Sequence, residues 1–309
     1  MKNVKTISRR SATKLLAVGT SSLMIDPISI LQNNPKMKRR IIPSSGEQIP
    51  VVGLGTWQTF DVGSSESERA PLKEVLQILV ASGGSVIDSS PMYGRSEKVV
   101  GDLTTELKLK DKIFEATKVW TSGMEEGIQQ MNNSFQLMQV PQMDLMQIHN
   151  LVDWNTHLKT LRKWKAEEKI SYIGITHYNR GGYAEVERIM KTETIDFVQI
   201  DYNLGDRDAA ERILPLARDK GIAVLINRPY GGGGLFRKTR NQSVPTWANE
   251  FDANSWGQFF LKFVLAHPAV TCVIPGTSKP KHMRDNVQAG FGKLPTAEHQ
   301  RRMIELIRA

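Results

Sequence analysis

The chain has 309 residues, 40 % of them apolar, enough for one large barrel or two ordinary domains around a buried core. Lys and Arg number 41 against 32 Asp and Glu, a net charge of +9, and five of these cations (Lys2, Lys5, Arg9, Arg10, Lys14) fall in the first fourteen residues with no acid among them. Subtracting those five leaves +4 for a remainder with no nucleic-acid module, and the single cysteine, Cys272, excludes an intrachain disulfide and a Cys-rich zinc site.

Ser8-Arg9-Arg10-Ser11-Ala12-Thr13-Lys14 precedes a mostly apolar stretch, 15–25, in the basic-then-apolar order of a secretory leader and too short to span a bilayer. The segment resembles a twin-arginine export signal in its paired arginines, the preceding Ser and the later Lys, with Ala12-Thr13 where such signals carry Phe-Leu. The expected organisation is an export segment and linker over 1–34 and one folded domain over 39–309. The resemblance implies passage through the twin-arginine machinery to the periplasm or beyond, without stable membrane insertion. The alternative is a basic arm on a cytoplasmic protein.

Next, Arg40 to Pro43, a turn at Ser44-Ser45-Gly46, and Gln48 to Pro50 predict a short hairpin suited to plugging one end of a barrel. Strand candidates follow at 51–54, 85–88, 112–117, 144–148, 171–175, 195–200, 222–226 and 271–274. Between them lie amphipathic helices, as in Leu72, Val75, Leu76, Leu79 and Val80. Eight strands alternating with helices, with no GxGxxG after the first, predict an α/β fold of the (β/α)8 TIM-barrel type with an N-terminal β-hairpin.

Motifs stand at the strand ends: Gly53-Leu54-Gly55-Thr56-Trp57, Asp88-Ser89-Ser90-Pro91-Met92-Tyr93-Gly94, Thr117-Lys118-Val119-Trp120 and Gln147-Ile148-His149. Further along come Gly174-Ile175-Thr176-His177-Tyr178, Val198-Gln199-Ile200-Asp201-Tyr202-Asn203 and Val273-Ile274-Pro275-Gly276-Thr277. From about residue 40 onward the chain resembles an aldo/keto reductase, its motifs in the family's order.

The chemistry is also legible in the residues. Hydride reduction of a carbonyl builds negative charge on oxygen, which calls for a proton donor beside it. Tyr93 suits that task, Lys118 would acidify its phenol, Asp88 would orient the lysine, and a neutral His149 would donate a second hydrogen bond to the substrate oxygen. The resemblance implies the same division of labour. His157, His267, His282 and His299 share no metal-ligand spacing, and no metal site is expected.

The resemblance further implies NADP(H) as cofactor. It would set Gly55 and Thr56 under the cofactor bridge and Thr176, His177 and Gln199 against the nicotinamide carboxamide, although the family usually has Ser-Asn where Thr176-His177 stand. Asn227, followed by Arg228-Pro229-Tyr230, aligns with the aromatic residue that stacks on the nicotinamide in relatives. The glycine run from Gly231 through Gly233 to Leu235, with Arg237 and Lys238, would bring backbone N–H groups and charge to the pyrophosphate. Relatives bind the 2′-phosphate with a lysine and an arginine in this region; Gly276 and His282 stand at the aligned places here, with Thr277, Lys279 and Lys281 nearby, and Asn286 matches the adenine-side asparagine.

Trp57 and Trp120, joined by Trp154 or Tyr178, would form an apolar mouth for a small carbonyl substrate, and 239–254, with Trp247 and Phe251, would form a lid. The expected function is NADP(H)-dependent reduction of aldehydes or ketones to alcohols. The competing expectation is a nucleotide-binding, redox-sensing or regulatory subunit on the same barrel with little turnover.

Overall fold

The computed structural model describes residues 36–308; the segment read as an export signal lies outside them. Strands β1 (Arg39–Ile41) and β2 (Gln48–Pro50) form the expected antiparallel hairpin. Its turn closes through Gly46, whose φ of +76° is a left-handed value that glycine adopts without steric cost. Ile42 and Ile49 are buried and cluster with Phe114, Leu145, Phe197 and Leu225, so the hairpin plugs the amino-terminal end of the barrel. The Arg40 guanidinium fixes it there by donating to the carbonyls of Leu265, His267 and Val270.

Among the described residues an eight-stranded parallel sheet follows in strictly sequential order: β3 (Leu54–Gly55), β4 (Val86–Asp88), β5 (Phe114–Val119), β6 (Met143–His149), β7 (Ile170–Thr176), β8 (Phe197–Asp201), β9 (Ala223–Asn227) and β10 (Cys272–Val273). Parallel bridges from Val52 to Val273 and from Gly55 to Gly276 join the two ends, giving the (β/α)8 TIM barrel. The surrounding helices are α1 (Glu66–Ala81), α2 (Ser96–Glu106), α3 (Met124–Met138), α4 (Trp154–Ala166), α5 (Tyr183–Thr192), α6 (Ile213–Lys220), α7 (Gly234–Lys238), α8 (Trp256–Ala266), α9 (Pro280–Gln288) and α10 (Ala297–Arg308). Of the predicted stripe in α1, Leu72, Val75, Leu76 and Leu79 are buried and Val80 is half-buried.

Two strand boundaries bear on the site. β5 runs two residues past its predicted end, so Lys118 lies inside the strand and not after it. All six β5 residues are buried, and a strand covered on both faces gives no polar alternation to mark its end. The first strand is shorter than expected, with Leu54 and Gly55 paired to Ile87 and Asp88. No helix among the described residues is long and apolar enough to cross a membrane.

Candidate active site

The carboxyl ends of β4, β5 and β6 bring Asp88, Lys118 and His149 to one rim, because strands in parallel register open on the same face. Lys118 is fully buried, and its Nζ donates to Asp88 Oδ2 and to the Ser89 carbonyl, each at 2.6 Å. The other carboxylate oxygen, Asp88 Oδ1, accepts from Gln147 Nε2 and Gln199 Nε2, each at 2.8 Å. Burial alone would lower the Lys118 pKa, but Asp88 and Tyr93 outweigh it and hold the ammonium above its ordinary value.

Tyr93 sits on the loop leaving β4, with the Lys118 Nζ 5.1 Å from its ring centroid. Its ring meets His149 edge-on, 5.8 Å between centroids. The expected acidified phenol requires correction: burial raises the Tyr93 pKa, and the opposing pull of Lys118 does not overcome it. Tyr93 therefore holds its proton at neutral pH. His149 Nδ1 lies 2.9 Å from Ser90 Oγ. Burial first, then Lys118 and His177, push the His149 pKa down to about 3, so the imidazole is neutral. The structure thus gathers all four residues that the sequence nominates, together with Ser90 and Gln147, which it did not.

The positions assigned to the carboxamide are arranged differently from expectation. Gln199 turns inward: its Nε2 donates to Asp88 and Gln147, while its Oε1 accepts from Thr176 Oγ1 at 3.2 Å and Asn227 Nδ2 at 3.4 Å. Its amide is spent on the carboxylate beneath, because a buried charge draws the nearest donors. Asn227 ends β9, and its buried Oδ1 has no hydrogen-bond partner among the described residues. His177 stacks on Tyr178 with an interplanar angle of 9°. Thr56 is buried, its hydroxyl bonded to the Asp88 carbonyl and Ser89 Oγ, and a Cβ on Gly55 would meet the Ile274 carbonyl at 2.9 Å.

Beyond β9 a cleft of about 670 Å³ is lined by Tyr178, Asn203, Arg228, Gly231, Arg237 and Lys238. The backbone cradle expected of the glycine run is partly used up. The amides of Gly231, Gly233, Gly234 and Leu235 all donate to carbonyls within the turn, which leaves charge recognition mainly to side chains. Those side chains lie close over the glycines: a Cβ on Gly232 would stand 3.3 Å from Arg228 Nη2, and one on Gly233 3.6 Å from Arg237 Nη1. Lys238 Nζ also donates to the Ile307 carbonyl at 3.1 Å, and Pro229 and Leu235 are buried beneath the turn. At the start of α9, Thr277 Oγ1 accepts from the Lys279 amide, and Gly276, Lys279, Lys281 and His282 are exposed. Asn286 is buried, and its Oδ1 accepts from the Tyr230 hydroxyl at 2.6 Å.

Beside His149 the Trp120 ring lies 6.3 Å away between centroids and is 41 % exposed, and Trp57, at 51 %, Met92 and Tyr178 are also exposed. Trp154 opens α4, and its indole packs under Arg188 of α5. The expected lid is also corrected, since Phe251 is fully buried and Trp247 packs on Phe251 and Phe259, fastening that segment to the core. Among the described residues no cluster of His, Cys, Asp or Glu could hold a metal ion.

A profile of the aldo/keto reductase family matches residues 51–304. A methylglyoxal reductase of Escherichia coli, YeaE, is 26 % identical over 271 residues, covering 85 % of this chain and 93 % of that protein. Among solved structures, an aldo/keto reductase from Klebsiella pneumoniae in complex with NADP and acetate superposes with a TM-score of 0.72 at 23 % identity, covering 85 % of this chain and 93 % of the other. The holo form of an aldo-keto reductase from Bacillus halodurans gives 0.70 at 23 % identity, over 87 % and 96 % of the two chains.

Proposed function

The chain belongs to the aldo/keto reductase family, and we propose that it reduces small aldehydes or ketones to alcohols with NADPH, using Tyr93 as general acid. The observation that carries this reading is the buried Lys118–Asp88 pair at 2.6 Å, set beneath a protonated Tyr93 and a neutral His149. NADPH, when bound, supplies the hydride. As hydride reaches the carbonyl carbon, the electron pair of the C=O bond moves to oxygen, and Tyr93 passes its hydroxyl proton there. The phenolate left behind is stabilised by the Lys118 ammonium, which Asp88 keeps charged, and water returns the proton. His149 contributes a neutral donor to the same oxygen, fixing its direction without adding a charge to the site.

The residues fit the nucleotide. Asn227 Oδ1 is a buried acceptor without a partner among the described residues, as a carboxamide N–H would require. Arg237 and Lys238 line a cleft suited to the pyrophosphate. Lys279, Lys281 and His282, with Thr277, gather at the N-terminus of α9, which favours a 2′-phosphate and hence NADP over NAD. Asn286 would reach the adenine, its Oδ1 held by Tyr230. Both the Klebsiella pneumoniae structure with NADP and the methylglyoxal reductase relative support this choice of cofactor and of small carbonyl.

Purified protein mixed with NADPH and a panel of aldehydes and ketones is expected to oxidise the nucleotide, with kcat falling about a hundredfold or more in Tyr93→Phe. A rate untouched by that substitution would overturn the assignment of Tyr93. Nucleotide binding with no oxidation of any substrate would favour the regulatory-subunit reading instead.

The paired Arg9 and Arg10 further support export of the folded enzyme through the twin-arginine route. Replacing both with lysine should retain the protein in the cytoplasm of a host with that machinery. Equal periplasmic recovery of both forms would refute it.

A further inference from the structure

We propose that Ser90 is a positioning residue that fixes the tautomer of His149, holding the single imidazole proton on Nε2. The inference rests on the reading of His149 as the group that meets the carbonyl oxygen, and it concerns how that group is made a donor.

Ser90 is fully buried on the loop leaving β4, and its Oγ lies 2.9 Å from His149 Nδ1, fifty-nine positions away in sequence. Two proton arrangements satisfy that distance. In the first, Nδ1–H donates to Oγ, and the hydroxyl hydrogen needs an acceptor of its own. The other contact of Ser90 Oγ is with the Met92 amide, a donor, at 3.4 Å, and among the described residues Oγ makes no further hydrogen bond. That arrangement aims two donors at one oxygen and strands a buried hydroxyl proton. In the second, Oγ accepts from the Met92 amide and donates its own hydrogen to Nδ1. Every group is then paired, Nδ1 is an acceptor, and the ring proton must sit on Nε2.

This choice matters to the reaction because His149 does not ionise in the neutral range. A neutral ring with its proton on Nδ1 would turn a lone pair of Nε2 toward oxygen as negative charge develops there, opposing the transition state. With the proton on Nε2 the ring donates to that oxygen. The other groups facing the ring do not make the choice. Lys118 is a cation that disfavours protonation as a whole, Tyr93 and Trp120 meet the ring through their aromatic systems, and His177 acts on it only through charge. Among the described residues Ser90 alone hydrogen-bonds a ring nitrogen of His149.

Long-range 1H–15N NMR of the protein labelled on its imidazole nitrogens, with His149 assigned by loss of its signal in His149→Gln, reads the tautomer without cofactor or turnover. The wild-type spectrum is expected to show His149 protonated on Nε2, and Ser90→Ala to show a mixture or the Nδ1–H form. A wild-type Nδ1–H signal overturns the proposal outright, whether or not the Ala variant folds. An unchanged tautomer in folded Ser90→Ala overturns it equally. Kinetically, Ser90→Ala should lower kcat about tenfold with KM within about twofold, and Ser90→Thr, which keeps the hydroxyl, should recover most of that loss. If no carbonyl compound is turned over at all, the functional reading fails while the NMR result still decides the role of Ser90.

Discussion

Asp88 is held inside the barrel by three protein donors: an ammonium on one oxygen and two glutamine amides on the other. Removing one member of such a buried pair strands the other, so Lys118→Met should cost about 3–5 kcal/mol in urea unfolding. Asp88→Asn should cost a similar amount, and the double variant less than the sum, with a coupling of about 1–3 kcal/mol. Strictly additive losses would show that the pair is not an energetic unit. The sequence makes Asp88, Tyr93, Lys118 and His149 legible because ionisable residues stand out at the ends of apolar runs. Ser90 and Gln147 stay hidden for the opposite reason. Both are neutral, both sit within or beside such runs, and each acts on a residue fifty-nine positions distant. Gln199 is found by its motif, but the direction of its amide is not, since that depends on a carboxylate from another strand. The protonated phenol is hidden likewise: the sequence shows the neighbouring lysine but not that desolvation of the half-buried Tyr93 outweighs it.

The elements are legible in proportion to how one-sided their environment is. α1 has one face on the barrel and one in solvent, so its apolar spacing reads directly. The barrel strands are covered on both faces, and their apolar runs mark where each lies but not where it stops. Lys118 falls inside β5 for that reason, a fully buried polar residue pointing to the same side as Phe114 and Ala116. The hairpin is legible from its turn, where Gly46 supplies the left-handed backbone. The segment 239–254 misleads because aromatic residues in a long connection suggest a mobile cover. Here Phe251 and Trp247 are anchors, and Arg302 of α10 lies 4.3 Å over the Trp247 ring.

For the molecule as a whole, two buried groups give stability opposite dependences on pH. His149 has a pKa lowered to about 3 by burial, then Lys118 and His177, so its contribution is present above the unfolded value of 6.5 and lost as pH falls toward 3. Glu115 does the reverse. It lies on the outer face of β5, 2 % exposed, with Oε1 accepting from Lys110 Nζ at 2.9 Å and Oε2 without a hydrogen-bond partner among the described residues. Burial raises its pKa to about 7, against the pull of Lys110 and with a push from Asp144. The folded state therefore favours the neutral acid. That contribution is fully present below the unfolded value of 4.5 and is lost as pH rises through about 7. The stability of the barrel should accordingly peak in mildly acid solution and fall on either side. Glu115→Gln keeps an acceptor for Lys110 and has no charge to bury, so it removes only the alkaline slope. Because β5 is an interior strand of one closed sheet, its ionisation is read in global unfolding and not in local fraying. Urea midpoints should show the variant more stable than wild type by about 1–3 kcal/mol near pH 8 and nearly equal to it near pH 4, a difference set by the pKa shift. A difference of the same size at both pH values would mean that packing, and not the buried charge, separates the two proteins.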